Sequence, residues 1–302
     1  MLNDLARKYF GLFTIAGAVL GLVLPSIGIL LQPYIIATLF VLMFFATAKL
    51  NKKRLVAAAK KPLLIVLGLA LLYVGVPVLM YALALFAGLG EAAVFGVVFA
   101  ALAPTIVSAP FFVAMAKGDV EFSYIVSVLA TLLSPVLIPA MLLLMLGKAV
   151  SIPLVSISTT IVALIVFPAL LVVALRALLP RVMAALERNE SFLTAADFLV
   201  FIWAIIAVNS ASILAFTPVI AVLLALAVVQ DFGVYFLVRS VSRKFLPEKL
   251  SKALAISVGL KNTVLTAGIA LLFSSGTALF SGMVVLVHAP MFAFIGWLKE
   301  KL

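Results

Sequence analysis

The residues best suited to chemistry lie inside otherwise apolar runs. Ser257-Val-Gly-Leu-Lys-Asn-Thr263 places an ammonium, an amide and two hydroxyls within one such run. A second run, Ala100 to Phe112, carries Pro104 and Pro110 with the hydroxyls of Thr105 and Ser108 between them. Each proline removes an N–H donor and blocks the preceding turn, so freed carbonyls need other partners. Asp231 lies in Gln230-Asp-Phe-Gly233, and Ser123, Ser127, Thr131 and Ser134 recur at spacings that put them on one helix face. Ammonium, carboxylate and hydroxyl groups in apolar surroundings bind and pass small ions or solutes. His288, beside Pro290, has two roles open to it: proton relay, or a neutral ring bonded to a backbone carbonyl.

Composition says what must position these groups. The 302 residues are 67% hydrophobic and 10% charged, against about 45–50% apolar and about 25% charged for a soluble domain. The chain is an all-α integral membrane protein in expectation. Ten apolar segments long enough to span are read at 9–28, 33–49, 62–87, 91–115, 121–146, 154–178, 193–214, 217–238, 252–273 and 277–298. The polar start Met1 to Lys8 runs directly into the first, so no cleavable secretory signal is expected. Of the 21 Lys and Arg residues, all but Lys148 and Lys261 fall on the face that carries both termini. The positive-inside rule puts that face in the cytoplasm of an inner (plasma) membrane protein. It also explains the net charge of +11 without nucleic acid. The runs Lys49 to Arg54 and Arg239 to Lys252 read as topology signals facing anionic lipid.

Function classes drop out in turn. Zero Cys excludes disulfides, thiol catalysis and iron–sulfur clusters, and a single His argues against a metal centre. No Walker loop, zinc signature or nucleophile–base pair occurs, so no ATP-driven or enzymatic reading, cofactor or metal is expected.

The two irregular runs fall in spans four and nine, the fourth of each five-span half. An odd-numbered half recurs only in inverted orientation, giving repeats over 1–150 and 151–302 with broken helices at the centre. Lys261 lies roughly 13 Å inside the ninth span and Asp231 roughly 10 Å inside the eighth, from the same face. A lone charge at that depth costs at least about 2.5–3.5 kcal/mol. Asp231 is therefore the candidate partner of Lys261. The serine and threonine stripe is expected against the broken fourth helix, as a path lining or as ordinary packing. Asp197 and Asn209 in the seventh span are further candidates for the path. Asp119 and Glu121 favour helix starts.

These residues resemble the bile acid:sodium symporter family along most of the chain. Met115-Ala-Lys-Gly-Asp119 followed by Thr131-Leu-Leu-Ser-Pro135 is similar to the family's LAKGD and TLLAP pair. Ser257 to Thr263 is similar to its EVGMQNSG, and Gln230 to Gly233 to its HNxxG. The resemblance implies ten helices in two inverted five-helix repeats, panel and core domains, and broken helices four and nine crossing near the midplane. It implies transport of organic anions or other small metabolites by alternating access, commonly with two sodium ions behind the crossing. Departures fall on the sodium sites. Where the family has PGGTASN this chain has Pro104 to Pro110, which puts Ala109 and Pro110 at ligand positions. Ser257 replaces the ligating Glu, Lys261 the ligating Gln, and Leu72 or a neighbour a third-span Gln. Ser123 and Ser127 keep the hydroxyls of one site.

The expectation is a secondary transporter of a small organic anion, sodium-independent, with the Lys261 ammonium in place of a sodium ion. Protonation of Lys261 is the alternative coupling event, and a structural ion pair with Asp231 the alternative role. Substrate would meet Pro104, Thr105, Ser108, Pro110, Asn262 and Thr263. Ser123, Ser127, Ser257 and Lys261 stand at the sodium-site positions. The rivals are a sodium symporter with rearranged ligands, a metabolite or oxyanion exporter of a sister family, and a non-transporting membrane sensor or assembly partner.

Overall fold

The computed structural model describes residues 9–49, 61–147 and 154–301, with Asn3 and Ala6 and without the side chains of 296–301. Arg7, Lys8, Lys52, Lys53, Arg54, Lys60 and Lys148, and the side chains of Lys299 and Lys301, lie outside the described residues, so their part in the charge asymmetry does too.

Helices follow one another with short connections. They are α1 (Phe10–Val23), α2 (Pro25–Leu30), α3 (Ile35–Ala48), α4 (Pro62–Phe86), α5 (Glu91–Ala101), α6 (Ala109–Met115), α7 (Val120–Leu146) and α8 (Leu154–Leu178). Then come α9 (Pro180–Arg188), α10 (Glu190–Val208), α11 (Ser210–Leu214), α12 (Pro218–Ser242), α13 (Glu248–Gly259), α14 (Thr263–Ala270) and α15 (Ser275–Lys301). Prolines open α2, α4, α9 and α12, where a missing N–H costs nothing. Among the described residues no strand forms.

Among the described residues, six helices are long and apolar enough to cross a membrane: α4, α7, α8, α10, α12 and α15. The other four expected spans are short or interrupted. The first breaks at Leu24, the second is a 17-residue helix ending at Ala48, and the fourth and ninth are each two helices. Length therefore supports a multi-pass membrane protein.

The chain forms two compact units, Met1–Leu50 with Thr159–Ala215, and Asn51–Ser158 with Phe216–Leu302. Each draws on both halves of the sequence. In the first unit Gly17 and Gly21, four apart, let α1 lie on α10. A Cβ on Gly17 would stand 2.7 Å from the Leu199 carbonyl oxygen, and one on Gly21 2.7 Å from Ile206 Cβ. Small residues at this spacing let membrane helices approach closely. Phe44, Phe45, Val172 and Met183 form that unit's buried cluster. Lys49 pairs with Glu190 at 2.7 Å, and Arg176 with Glu187 at 2.8 Å.

The second unit contains every residue expected at the crossing. Its α7 carries prolines at 135 and 139, each of which leaves the carbonyl four residues back without a helical donor. Hydroxyls replace both donors: Ser134 bonds the Thr131 oxygen at 2.7 Å and Ser158 the Pro135 oxygen at 2.9 Å. In lipid such groups must be satisfied within the protein.

Candidate functional site

Two interrupted helices meet in the second unit. α5 stops at Ala101 and α6 resumes at Ala109; α13 stops at Gly259 and α14 resumes at Thr263. The bare backbone of one gap satisfies that of the other. Ile106 N–H donates to Leu260 O at 2.9 Å and Asn262 N–H to Pro104 O at 2.7 Å, so Thr105 and Lys261 pair as in an antiparallel bridge. Thr105 Oγ1 adds a 2.7 Å bond to the Ser257 carbonyl at the end of α13. Pro104 prevents α5 from continuing, and Pro110 sits within the first turn of α6, where a proline is tolerated. Ser108 is exposed and makes no capping bond.

Lys261 is fully buried, and its Nζ donates to the carbonyl of Leu72 at 2.7 Å. Local sequence makes that carbonyl available. Leu71–Gly75 of α4 is a π-helical turn in which Val76 N–H reaches back to Leu71 O. The residue five beyond Leu72 is Pro77, which has no N–H to give. The Lys261 side chain supplies the missing donor.

The expected partnership of Lys261 with Asp231 is not formed. Asp231 belongs to a second π turn, Val229–Gly233 in α12, and its Oδ2 lies 3.4 Å from His288 Nδ1. The extra residue of a π turn rotates the side chains around it, so depth along the helix does not fix the partner. Neither carboxylate oxygen of Asp231 has a hydrogen-bond donor, and both amide atoms of Gln230 are likewise buried and unpaired. His288 faces two acceptors, Val284 O at 2.6 Å from Nδ1 and Lys261 O at 3.0 Å from Nε2.

The hydroxyls at the sodium-site positions are engaged with one another. Ser257 Oγ donates to Ser123 Oγ at 2.7 Å, and Ser127 Oγ to the Ser123 carbonyl at 2.8 Å. Thr131 bonds the Ser127 carbonyl in the same way at 2.9 Å. The helix that carries the stripe packs on α5 and α6 of the fourth span and also on α13, which Ser123 joins through Ser257. Just past the crossing, Asn262 Nδ2 and Thr263 Oγ1 are buried without a partner. In the other unit Asn209 turns its amide onto its own helix, at 3.1 Å from Ile205 O, and Asp197 Oδ2 is buried and unpaired.

The segment Lys117-Gly-Asp119 is a corner. Lys117 has φ +56, and Gly118 N–H bonds Val113 O at 2.8 Å, ending α6 with a left-handed residue. A Cβ on Gly118 would come 2.8 Å from Val113 Cγ1 and 3.3 Å from Lys249 O. Asp119 caps α7 through Phe122 N–H at 2.9 Å and pairs with Lys61 at 2.7 Å. Burial works against its charge, but the Lys61 hydrogen bond and the Phe122 amide together hold its carboxyl below the usual carboxylate range. Its own N–H bonds Lys249 O at 2.9 Å, tying this corner to the start of α13.

Of the two roles open to His288, a ring bonded to backbone carbonyl is the one observed, whereas the Leu72 acceptor has no counterpart in the sequence reading. A backbone carbonyl carries no residue-type signal, and Pro77 was the only hint.

An "Uncharacterized sodium-dependent transporter YocS" of Bacillus subtilis (strain 168) is 27% identical over 143 residues, which are 47% of this chain and 44% of that protein. The aligned part thus spans less than half of that relative. Residues 36–216 match the Sodium Bile acid symporter family, a stretch that includes the first break and the α7 stripe and ends before the second break. That match covers more than half of the sequence, and the chain belongs to the Sodium Bile acid symporter family.

Proposed function

We propose that the protein is a secondary active transporter that carries a small organic anion by alternating access without sodium, the Lys261 ammonium standing in place of the ion. The observation that carries this reading is the fully buried Lys261 Nζ on the Leu72 carbonyl. A hard cation trades hydration for several oxygens. Here Ser257 and Ser123 bond each other and Ser127 bonds its own helix, while Ala109 and Pro110 offer no side-chain oxygen. A fixed ammonium supplies the same single positive charge and needs fewer acceptors.

The unpaired Asn262 Nδ2 and Thr263 Oγ1 support a substrate position at the start of α14, where helix N–H groups favour negative charge. Matching irregularities support inverted repeats over 1–150 and 151–302 within a ten-span chain. π turns interrupt the third and eighth spans, and breaks the fourth and ninth. The unit of Met1–Leu50 and Thr159–Ala215 then reads as the panel and the other as the core. Basic residues on the side of the termini support an inner-membrane protein with both ends cytoplasmic. Its partners are the lipid bilayer and the solute, with no role for ATP or nucleic acid.

The relative's name favours a second reading, a sodium symporter with rearranged ligands. Thermal unfolding of purified wild type, Lys261→Ala and Lys261→Gln in sodium or choline at equal ionic strength separates the two. Ligand that binds only the folded state raises its stability. Sodium-indifferent wild type with a sodium-responsive Lys261→Gln is the expected result. Concentration-dependent stabilisation of wild type by sodium over choline would sink the ammonium reading.

A further inference from the structure

We propose that Asp231 and His288 form a buried proton-binding site that fastens the second break through the Lys261 carbonyl. Both ring nitrogens of His288 point at carbonyl oxygens, Val284 O at 2.6 Å and Lys261 O at 3.0 Å. Carbonyls only accept, and a neutral imidazole has one N–H. A neutral ring would aim a lone pair at one of these oxygens, while an imidazolium satisfies both. A carboxyl group stands beside the ring to balance that charge: Asp231 Oδ2 is 3.4 Å from Nδ1, and both its oxygens are buried with no hydrogen-bond partner. The carboxylate thus supplies the countercharge, while the two ring N–H groups serve the carbonyls.

The elements packed on α15 bring few other ionisable groups near this pair. α12 carries Tyr235, whose ring lies against Phe294, and Arg239, engaged by Ser251 and Glu248. α5 carries Glu91 at its exposed start, and α6 and α14 carry none. The Lys261 ammonium is turned to Leu72 and contributes its carbonyl alone.

The device follows from the geometry. With the proton bound, Nε2 holds the Lys261 carbonyl inside the gap between α13 and α14. When the proton leaves to water, the one remaining N–H stays on the shorter contact, Nδ1 to Val284 O, so the Lys261 carbonyl loses its donor and the gap a tether beside Asn262 and Thr263. This site does not depend on whether Lys261 replaces sodium or on what is carried. It differs from protonation of Lys261 itself, because the titrating group lies on the tenth span.

The chain has one histidine, so a 15N-histidine label reports this ring alone. In wild type at neutral pH, both ring nitrogens are expected to carry hydrogen; in Asp231→Asn at the same pH, the ring is expected to be neutral. A neutral wild-type ring, or an imidazolium that persists unchanged in Asp231→Asn, would overturn the site. The wild-type spectrum decides even if the variant does not fold. The fastening is read separately from hydrogen-exchange protection at Asn262 and Thr263, corrected for intrinsic pH dependence. Protection should fall about tenfold when the ring loses its proton, the equivalent of one hydrogen bond. It should become independent of pH in His288→Gln. Protection that ignores the ring's protonation in wild type would refute the fastening.

Discussion

The two breaks at the crossing solve the same problem by different means. The first, between α5 and α6, is written into the covalent chain by Pro104 and Pro110, and its one buried hydroxyl, Thr105, is bonded. The second, between α13 and α14, contains no proline. It is held open from outside, by Lys261 on Leu72, by His288 on the Lys261 carbonyl and by the first break itself. It also carries the unpaired polar atoms, Asn262 Nδ2 and Thr263 Oγ1. A break enforced by proline cannot close into continuous helix even when its neighbours move. A break that depends on tertiary contacts changes when those contacts change, and such low-stability elements are where binding and switching reside. The first break is accordingly a brace and the second the responsive part.

Removing the strongest outside contact should produce the largest effect. Lys261→Ala leaves the Leu72 carbonyl without its donor and a cavity where the side chain lay. A loss of about 2–5 kcal/mol is expected, measured by chemical or thermal unfolding in detergent. Stability equal to wild type would mean that the second break does not rely on this tether. Next comes Thr105→Val, which removes the bond to the Ser257 carbonyl and keeps the volume. It should cost about 0.5–1.5 kcal/mol and leave the sodium response unchanged. A larger loss than that of Lys261→Ala would invert the comparison.

The brace itself is tested by Pro104→Ala. The substitution gives the unfolded chain more freedom and should cost about 0.4–1 kcal/mol. The crossing bonds Ile106 to Leu260 and Asn262 to Pro104 O use atoms that alanine retains. Hydrogen exchange at Ile106 should therefore remain slow. Fast exchange there would show that the crossing bonds do not hold the first break once Pro104 is gone.

Much of this contrast was legible in the sequence, because hydropathy and proline act locally. Pro104 and Pro110 announce a break wherever the chain around them is apolar, and Lys261 announces itself by depth in an apolar run. Partners were less legible. Asp231 and Lys261 stand at similar depth, yet a π turn at Val229–Gly233 aims the carboxylate at His288. That turn follows from packing and has no residue-type signature. The Leu72 carbonyl was hidden for the same reason, since any residue offers one. The Lys117 to Asp119 and Thr131 to Pro135 segments carried the clearest resemblance to the family, and both serve architecture. One ends α6 and the other closes a carbonyl that Pro135 freed. Conspicuous motifs here position the crossing, and the groups that distinguish it are single substitutions such as Lys261.

The smallest expected effect lies at the outer end of the brace, where Asp119 ties the corner after α6 to Lys61 and to the start of α13. Its carboxyl titrates below the usual range in the folded protein, against about 3.9 in an unfolded chain. A group shifted in that direction stabilises fully above its unfolded value, and the contribution is lost as pH falls through the folded one. The pair with Lys61 is partly exposed, so the effect is small and salt weakens it. Asp119→Asn should therefore unfold at a slightly lower temperature than wild type at neutral pH, with the gap closing as pH falls below the carboxylate range. Because this corner lies on the proline-enforced side, the same variant should leave exchange at Asn262 and Thr263 unchanged. Acceleration there would mean that the corner holds the second break through Lys249, and that the responsive segment extends back along α13 to its first turn.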